Sequence, residues 1–342
     1  MIVFYIFLAL LIFVGATYKK SGYYADYIGK EQCNAVKGIF ILLIFYSHIS
    51  RYMLSNGFVS SSMFDSWFIS ISTHIGQWVV ALFLFYSGYG VMESLKKKGG
   101  AYLDTFPCKR LLTTLLNFDV AVCVFILLAF LIGNELSLKR ISLSLVGWES
   151  MGNSNWYIFV ILVCYLAFYI NYRLKGNRWM LLGILIIIML ILSQVKEYRW
   201  YNTILCFPAG VFYSYNRKWI EEQLQKHYIV MLLASILLFI LFYYHKRLGI
   251  PRFYGLTYNI DCIFFVMIFI LLSMKISLRN PLLLWFGVSL FPLYIYQRLP
   301  MIGLNYLGGT GLICAHPFLY VLACLLITMV ICYLYKYWKI SI

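Results

Sequence analysis

Asn34-Ala-Val-Lys37-Gly38-Ile-Phe-Ile-Leu-Leu-Ile-Phe-Tyr-Ser47-His48-Ile-Ser-Arg51 is an apolar run with a lysine near one end and a histidine set deep in it. A bilayer core needs about 17–25 mostly apolar residues per crossing. Lipid leaves an open backbone no hydrogen-bond partner, so such a run must be a helix. On a helix, the eleven-residue spacing puts Lys37 and His48 within about 20° of one another and about 16 Å apart along the axis. Asn34 and Arg51 fall near the same stripe. Ionisable groups inside membrane helices are costly and are functional candidates by default. Imidazole is the side chain best suited to exchanging a proton near neutrality. A structural reading also stands: His48 as an interfacial residue wetted by headgroups, and Lys37 as a topology anchor. The spacing leaves both open.

The rest of the chain repeats the theme. Of 342 residues, 63% are hydrophobic and 12% charged, against roughly 45–50% and about 25% in ordinary globular chains. Apolar runs recur at 2–17, 35–52, 76–94, 111–133, 155–172, 179–195, 200–215, 228–245, 256–274, 283–299 and 317–337. This pattern predicts an all-α polytopic integral membrane protein. It has about ten to eleven transmembrane helices in a single domain over residues 1–342, with no separate soluble domain. Several runs are short and Pro208 interrupts one, which leaves the count at ten or eleven. Residues 2–17 follow no basic segment and precede no small-residue cleavage site. They read as an uncleaved extra N-terminal helix within residues 1–20.

The 28 basic residues, for a net charge of +16, orient the map. With the N-terminus outside, eighteen fall in one set of loops, among them Lys19, Lys20, Lys175 and Lys336. Nine fall in the opposite set: Arg51, Lys139, Arg140, Lys196, Arg199, Lys246, Arg247, Arg252 and Arg298. The positive-inside rule then gives an N-out, C-in arrangement. The loop 245–255 is the exception that the rule leaves unexplained. Charge confined to short loops between apolar runs also argues against nucleic acid as a partner. The nine cysteines include no C-x-x-C pair and mostly sit in apolar runs, so they read as packing residues and no metal site is expected. No fixed-period repeat appears, nor a matched pair of broken helices of the kind many transporters carry.

Two further features stand out. Asp119 lies nine residues past Arg110, about 13 Å inside the helix, close to the depth of His48. A carboxylate there needs a partner. Contact with His48 and pairing with another polar group are both open. Lys96, Lys97, Lys98, Lys109 and Arg110 flank what reads as a short cytoplasmic loop. Such a cluster suits the phosphates of a nucleotide-bearing donor, and equally suits positive-inside anchoring.

From about residue 33 to 300 the chain resembles the acyltransferase-3 family of membrane acyltransferases, which O-acylate bacterial polysaccharides and related glycans. The resemblance rests on "KGIFILLIFYSH" (Lys37 to His48), matching the family's basic residue, ten residues, then His. It rests too on "GQWVVALFLFYSGYG" from Gly76, "FPCKRLLTTLL" from Phe106, "NWYIFVILVCYL" from Asn155, "CFPAGVFYSY" from Cys206 and "FGVSLFPLYIYQRLPM" from Phe286. Lys37 stands where many members have Arg, and Gln297 where many have a late His. Leu116-Asn117 replace a frequent Pro.

The resemblance implies transfer of an acyl group, usually acetyl from acetyl-CoA, taken from the cytoplasmic side with no bound cofactor. The acceptor would be a hydroxyl of a glycan or lipid-linked glycan at or beyond the outer face, in a multi-pass protein of the bacterial plasma membrane. It makes His48 a general base or transient acyl acceptor. Lys37 and the Lys96–Arg110 segment would hold the donor's phosphates. Ser87, Asn155, Trp156, Tyr294 and Gln297 would line the acceptor cavity, although helix packing also accounts for the aromatics and Ser87. Two other classes compete: a transporter or flippase for a lipid-linked glycan, and a non-catalytic assembly component.

Overall fold

The computed structural model describes residues 1–60, 62–247 and 254–342. Arg252 and most of the 245–255 loop lie outside the described residues, as do the side chains of Lys246 and Arg247. In chain order, the first elements are α1 (Val3–Phe13), β1 (Ala16–Tyr18), α2 (Lys30–Ser55), α3 (Met63–His74) and α4 (Trp78–Lys98). Next comes α5 (Gly100–Leu131), which contains a π-helical stretch over Pro107–Leu112. It is followed by α6 (Leu138–Leu145), α7 (Trp156–Arg173), α8 (Arg178–Val195), α9 (Cys206–Tyr215), α10 (Arg217–Lys226) and α11 (Tyr228–Arg247). The chain closes with α12 (Tyr254–Lys275), β2 (Ile276–Leu278), α13 (Pro281–Val288), α14 (Leu290–Tyr296), α15 (Arg298–Ala315) and α16 (Pro317–Leu334).

The protein is an all-α polytopic membrane protein. Among the described residues, eight helices are long and apolar enough to cross a bilayer, and α13 with α14–α15 makes a ninth span bent by 65°. Two of the eleven apolar runs take another form. Run 2–17 gives only eleven helical residues before β1 pairs antiparallel with β2. Run 200–215 gives only the ten residues of α9. Both still traverse the bundle. The Met1 amino group meets Asp65 at 2.9 Å at one end, and the Lys19 amide meets the Lys275 carbonyl at 2.9 Å at the other. Likewise Lys196 lies 3.7 Å from Glu149 at the first end, while Ser214 accepts from Lys96 at the second.

Irregular backbone inside a bilayer needs substitute partners. Residues 201–205 obtain them from Asn259 on α12. Its amide donates to the carbonyls of Tyr201 (2.9 Å) and Gly255 (2.7 Å), and its oxygen accepts from the Leu205 amide (2.8 Å). Pro107 denies α5 one amide donor, and the chain absorbs this in a wide π turn rather than breaking. Lys109 and Arg110 therefore lie within one continuous helix, not at the edge of a loop.

Two close helix pairs position the functional side chains. A Cβ added at Gly38 would fall on the Leu283 carbonyl, and one added at Gly287 would fall on the Asn34 carbonyl. The same reciprocal contact joins Gly88 to Phe207 and Gly210 to Phe85. Glycine lets backbones approach to this distance, as at other small-residue membrane interfaces. The result locks α2 to α13 and α4 to α9 beside Lys37 and Ser87.

Candidate active site

At the end of the bundle that holds Met1 and Asp65, a cavity of about 790 Å³ opens between the helices. Ser47, His48, Arg51 and Tyr52 of α2 form one wall. Residues of the 148–156 and 196–200 segments contribute others, the start of α4 around Trp78 another, and Tyr254, Tyr258, Tyr294 and Arg298 also line it. The half-length α9 is what makes the room: residues 196–205 dip inward without forming a full helix. Lys196 lies over the rings of Trp148 (4.0 Å) and Trp200 (4.4 Å) and donates to the Trp148 carbonyl at 2.9 Å. That contact ties the two lips together.

His48 sits in this wall. Its Nδ1 is sealed from solvent without a hydrogen-bond partner, leaving Nε2 as the ring nitrogen that opens to the cavity. The Tyr294 ring lies 6.4 Å away, with Tyr157 edge-on to it at 5.1 Å. The charged groups within electrostatic reach of His48 are Arg298, Arg51 and Arg199. No carboxylate is among them.

Asp119 is not brought to His48. It does not line the cavity, and its buried Oδ1 has no hydrogen-bond partner. Equal depth on two helices does not make them neighbours. Asn117, two residues earlier on α5, does have partners. It binds the Ile340 carbonyl (2.8 Å), the Ile340 amide (2.9 Å) and the Tyr335 hydroxyl (2.7 Å), tying down the C-terminal tail.

Of the residues expected at the acceptor cavity, Asn155, Trp156 and Tyr294 line it. Asn155 is fixed by donating to the Gly147 carbonyl at 2.9 Å. Gln297 does not line it: the side chain is buried at the α14–α15 junction and donates to the Tyr294 carbonyl at 3.2 Å. Ser87 does not line it either, but its hydroxyl faces Tyr157 and Tyr165 just behind Tyr294.

Toward the basic end, Tyr165 and Tyr102 face the Arg110 guanidinium. The Lys37 ammonium lies 5.7 Å from the Tyr86 ring centre and within electrostatic reach of Arg110. Lys37 has no ion pair among the described residues. A polar seam thus runs from His48 through the buried Tyr294 and Tyr157, past Ser87, to the buried Tyr165, and ends at the half-buried Lys37 and the exposed Arg110.

The remaining basic residues stand apart from this seam. Lys96 is engaged by Glu93 (2.8 Å) and by the Ser214 carbonyl. Lys97, Lys98 and Lys109 are exposed. Arg217 beside them bridges Glu221 (2.7 Å) and the Tyr89 hydroxyl (2.9 Å), and Tyr27 adds a bond to Glu221 at 3.0 Å. Burial, then the neighbouring Tyr213 and Glu221, holds the Tyr27 hydroxyl well above its usual range.

Sequence reading missed Arg51, Arg199 and Arg298 as site residues. The available signal was their placement. They belong to the minority of basic residues at the poorly charged end, and the structure puts four of those nine (with Lys196) in the cavity wall.

Apolar helices thus surround His48, with cations at one end of the bundle and an open cavity at the other. Residues 31–337 match the family model described as an acyltransferase domain, and the chain belongs to that family. It is a membrane acyltransferase, and the match extends past the segment over which the motifs carried the resemblance. No curated protein and no solved structure matches it.

Proposed function

We propose that the protein moves an acyl group, acetyl in the simplest case, from acyl-CoA at the basic end to a glycan or lipid-linked glycan hydroxyl in the cavity. On this reading the basic end faces the cytoplasm of a bacterial cell and the cavity opens outward, in keeping with the positive-inside rule. One observation carries it: His48 Nε2 opens to the cavity while Lys37 and Arg110 lie at the far end of the same seam. The separation of Lys37 and His48, about 16 Å along α2, suits the donor. The pantetheine arm is comparable to four or five extended residues, about 15 Å. Phosphates held by Lys37 and Arg110 therefore leave the thioester within reach of His48.

The acceptor hydroxyl gives its proton to Nε2 as its oxygen attacks the thioester carbonyl. The new C–O bond forms, the C–S bond breaks, and the proton passes on to the departing CoA sulfur. The test is to measure ester-linked acyl groups on the glycans of cells carrying the wild-type protein or His48→Ala, at matched membrane abundance. Loss of the esters is expected. Unchanged acylation refutes the reading.

A further inference from the structure

The cavity wall carries four cations, Arg51, Lys196, Arg199 and Arg298, against two carboxylates, Glu149 and Glu197. Both carboxylates are already engaged: Glu197 with Arg199 at 2.6 Å, and Glu149 with Lys196 at 3.7 Å. Two guanidiniums are left over. Arg298, half-buried, donates only to the Asn153 carbonyl at 3.3 Å. Arg51, one turn beyond His48, has no hydrogen bond or ion pair among the described residues.

A partly buried guanidinium without an anion is a costly arrangement. Its planar fork matches the paired oxygens of a carboxylate or a phosphate. The same cavity is lined by Trp78, Trp156 and Tyr52, broad apolar faces that suit a sugar ring. Among the described residues no carboxylate of the cavity wall pairs with Arg298 or Arg51, so a neutral acceptor would leave both unpaired.

We infer that the acceptor is an anionic sugar, its carboxylate or phosphate seated on Arg298 and Arg51 so that a ring hydroxyl faces His48. This rests on the reading of the cavity as the acceptor site.

The test is calorimetric titration of the purified full-length protein in nanodiscs with glucuronic acid, glucose 1-phosphate and glucose. One or both anionic sugars should bind at least about 10-fold tighter than glucose, the scale of a charged hydrogen bond. The advantage should shrink as salt is raised. The better of the two anions tells a uronate from a phosphorylated sugar. Arg298→Gln should abolish the advantage while glucose binding holds. The more exposed Arg51→Gln, expected to cut it several-fold, serves should the first variant not fold.

Equal binding of all three sugars, or a preference that survives both variants, overturns the inference. Preference without any acyl transfer from acetyl-CoA to these sugars would instead count against the proposed function. Equal transfer to glucose and glucuronic acid would overturn the inference and leave the function standing.

Discussion

Gly38→Ala is the perturbation that tests how the site is held. The added methyl would land on the Leu283 carbonyl of α13, and that obstacle is backbone, not a flexible side-chain tip. Relief requires α2 and α13 to separate by about 1 Å or more to restore van der Waals distance. Overpacking of this kind costs about 1–3 kcal/mol, and loss of the close Cα–H contacts to the facing carbonyls adds about 0.5–1 kcal/mol each.

The larger effect is on geometry. The helix that would move carries Lys37 and His48, while α13 leads into Tyr294 and Arg298. A misplacement of about 1 Å between reacting groups can cost about 10²-fold in rate. On the proposed reading, thiol release from acetyl-CoA by purified protein measures turnover, and thermal unfolding in the same detergent measures stability. Both should fall, turnover by far the more. Gly90→Ala is the control, because nothing lies within 4 Å of the new methyl. A helix interior there should gain roughly 0.5–1 kcal/mol. A Gly38→Ala protein with wild-type melting and turnover would refute the reasoning, since the contact would then not set the helix spacing.

Other expectations follow from the same geometry. Asp119→Asn should keep thiol release within about twofold of wild type, the range of a substitution away from any partnered feature, and a loss of several orders of magnitude would return Asp119 to the mechanism. Asn259→Ala strips partners from the Tyr201 carbonyl and the Leu205 amide. It should lower stability by about 2–3 kcal/mol and weaken binding of a sugar ligand, as read by denaturation and titration. Unchanged stability would mean that residues 201–205 do not depend on this side chain.

The long straight spans were legible because each is an apolar run, and lipid permits only one backbone solution, whereas the 65° bend between α13 and α14 left no mark in the hydropathy. The Lys37–His48 face was legible because helical periodicity follows directly from spacing. The half-length α9 was not. A crossing that finishes its outer half with turns has the same hydropathy as a full helix, and only Asn259, far along the chain, reveals how its backbone is satisfied. The continuity of α5 was hidden by Pro107, which reads as a break until the π turn is seen. Asp119 shows the limit of depth arguments: a residue's height in the membrane says nothing about which neighbour its helix turns toward. Arg298 and Arg199 were concealed by bookkeeping, because a charge rule that sorts loops cannot tell an anchor from a ligand.

The cavity has an electrical consequence. With the cavity facing outward, as proposed, water entering it would carry the outside potential down to His48, and the membrane voltage would drop mainly across the tyrosine-lined stretch between His48 and Lys37. A charge moved through that stretch would feel about 2.3 kcal/mol per 100 mV. On the proposed reading none moves: the phosphates stay with Lys37 and Arg110, and only a neutral acyl chain reaches across. Acyl transfer would then be voltage-independent, and the same stretch of tyrosines would insulate the cell's ion gradients while the reaction proceeds through it.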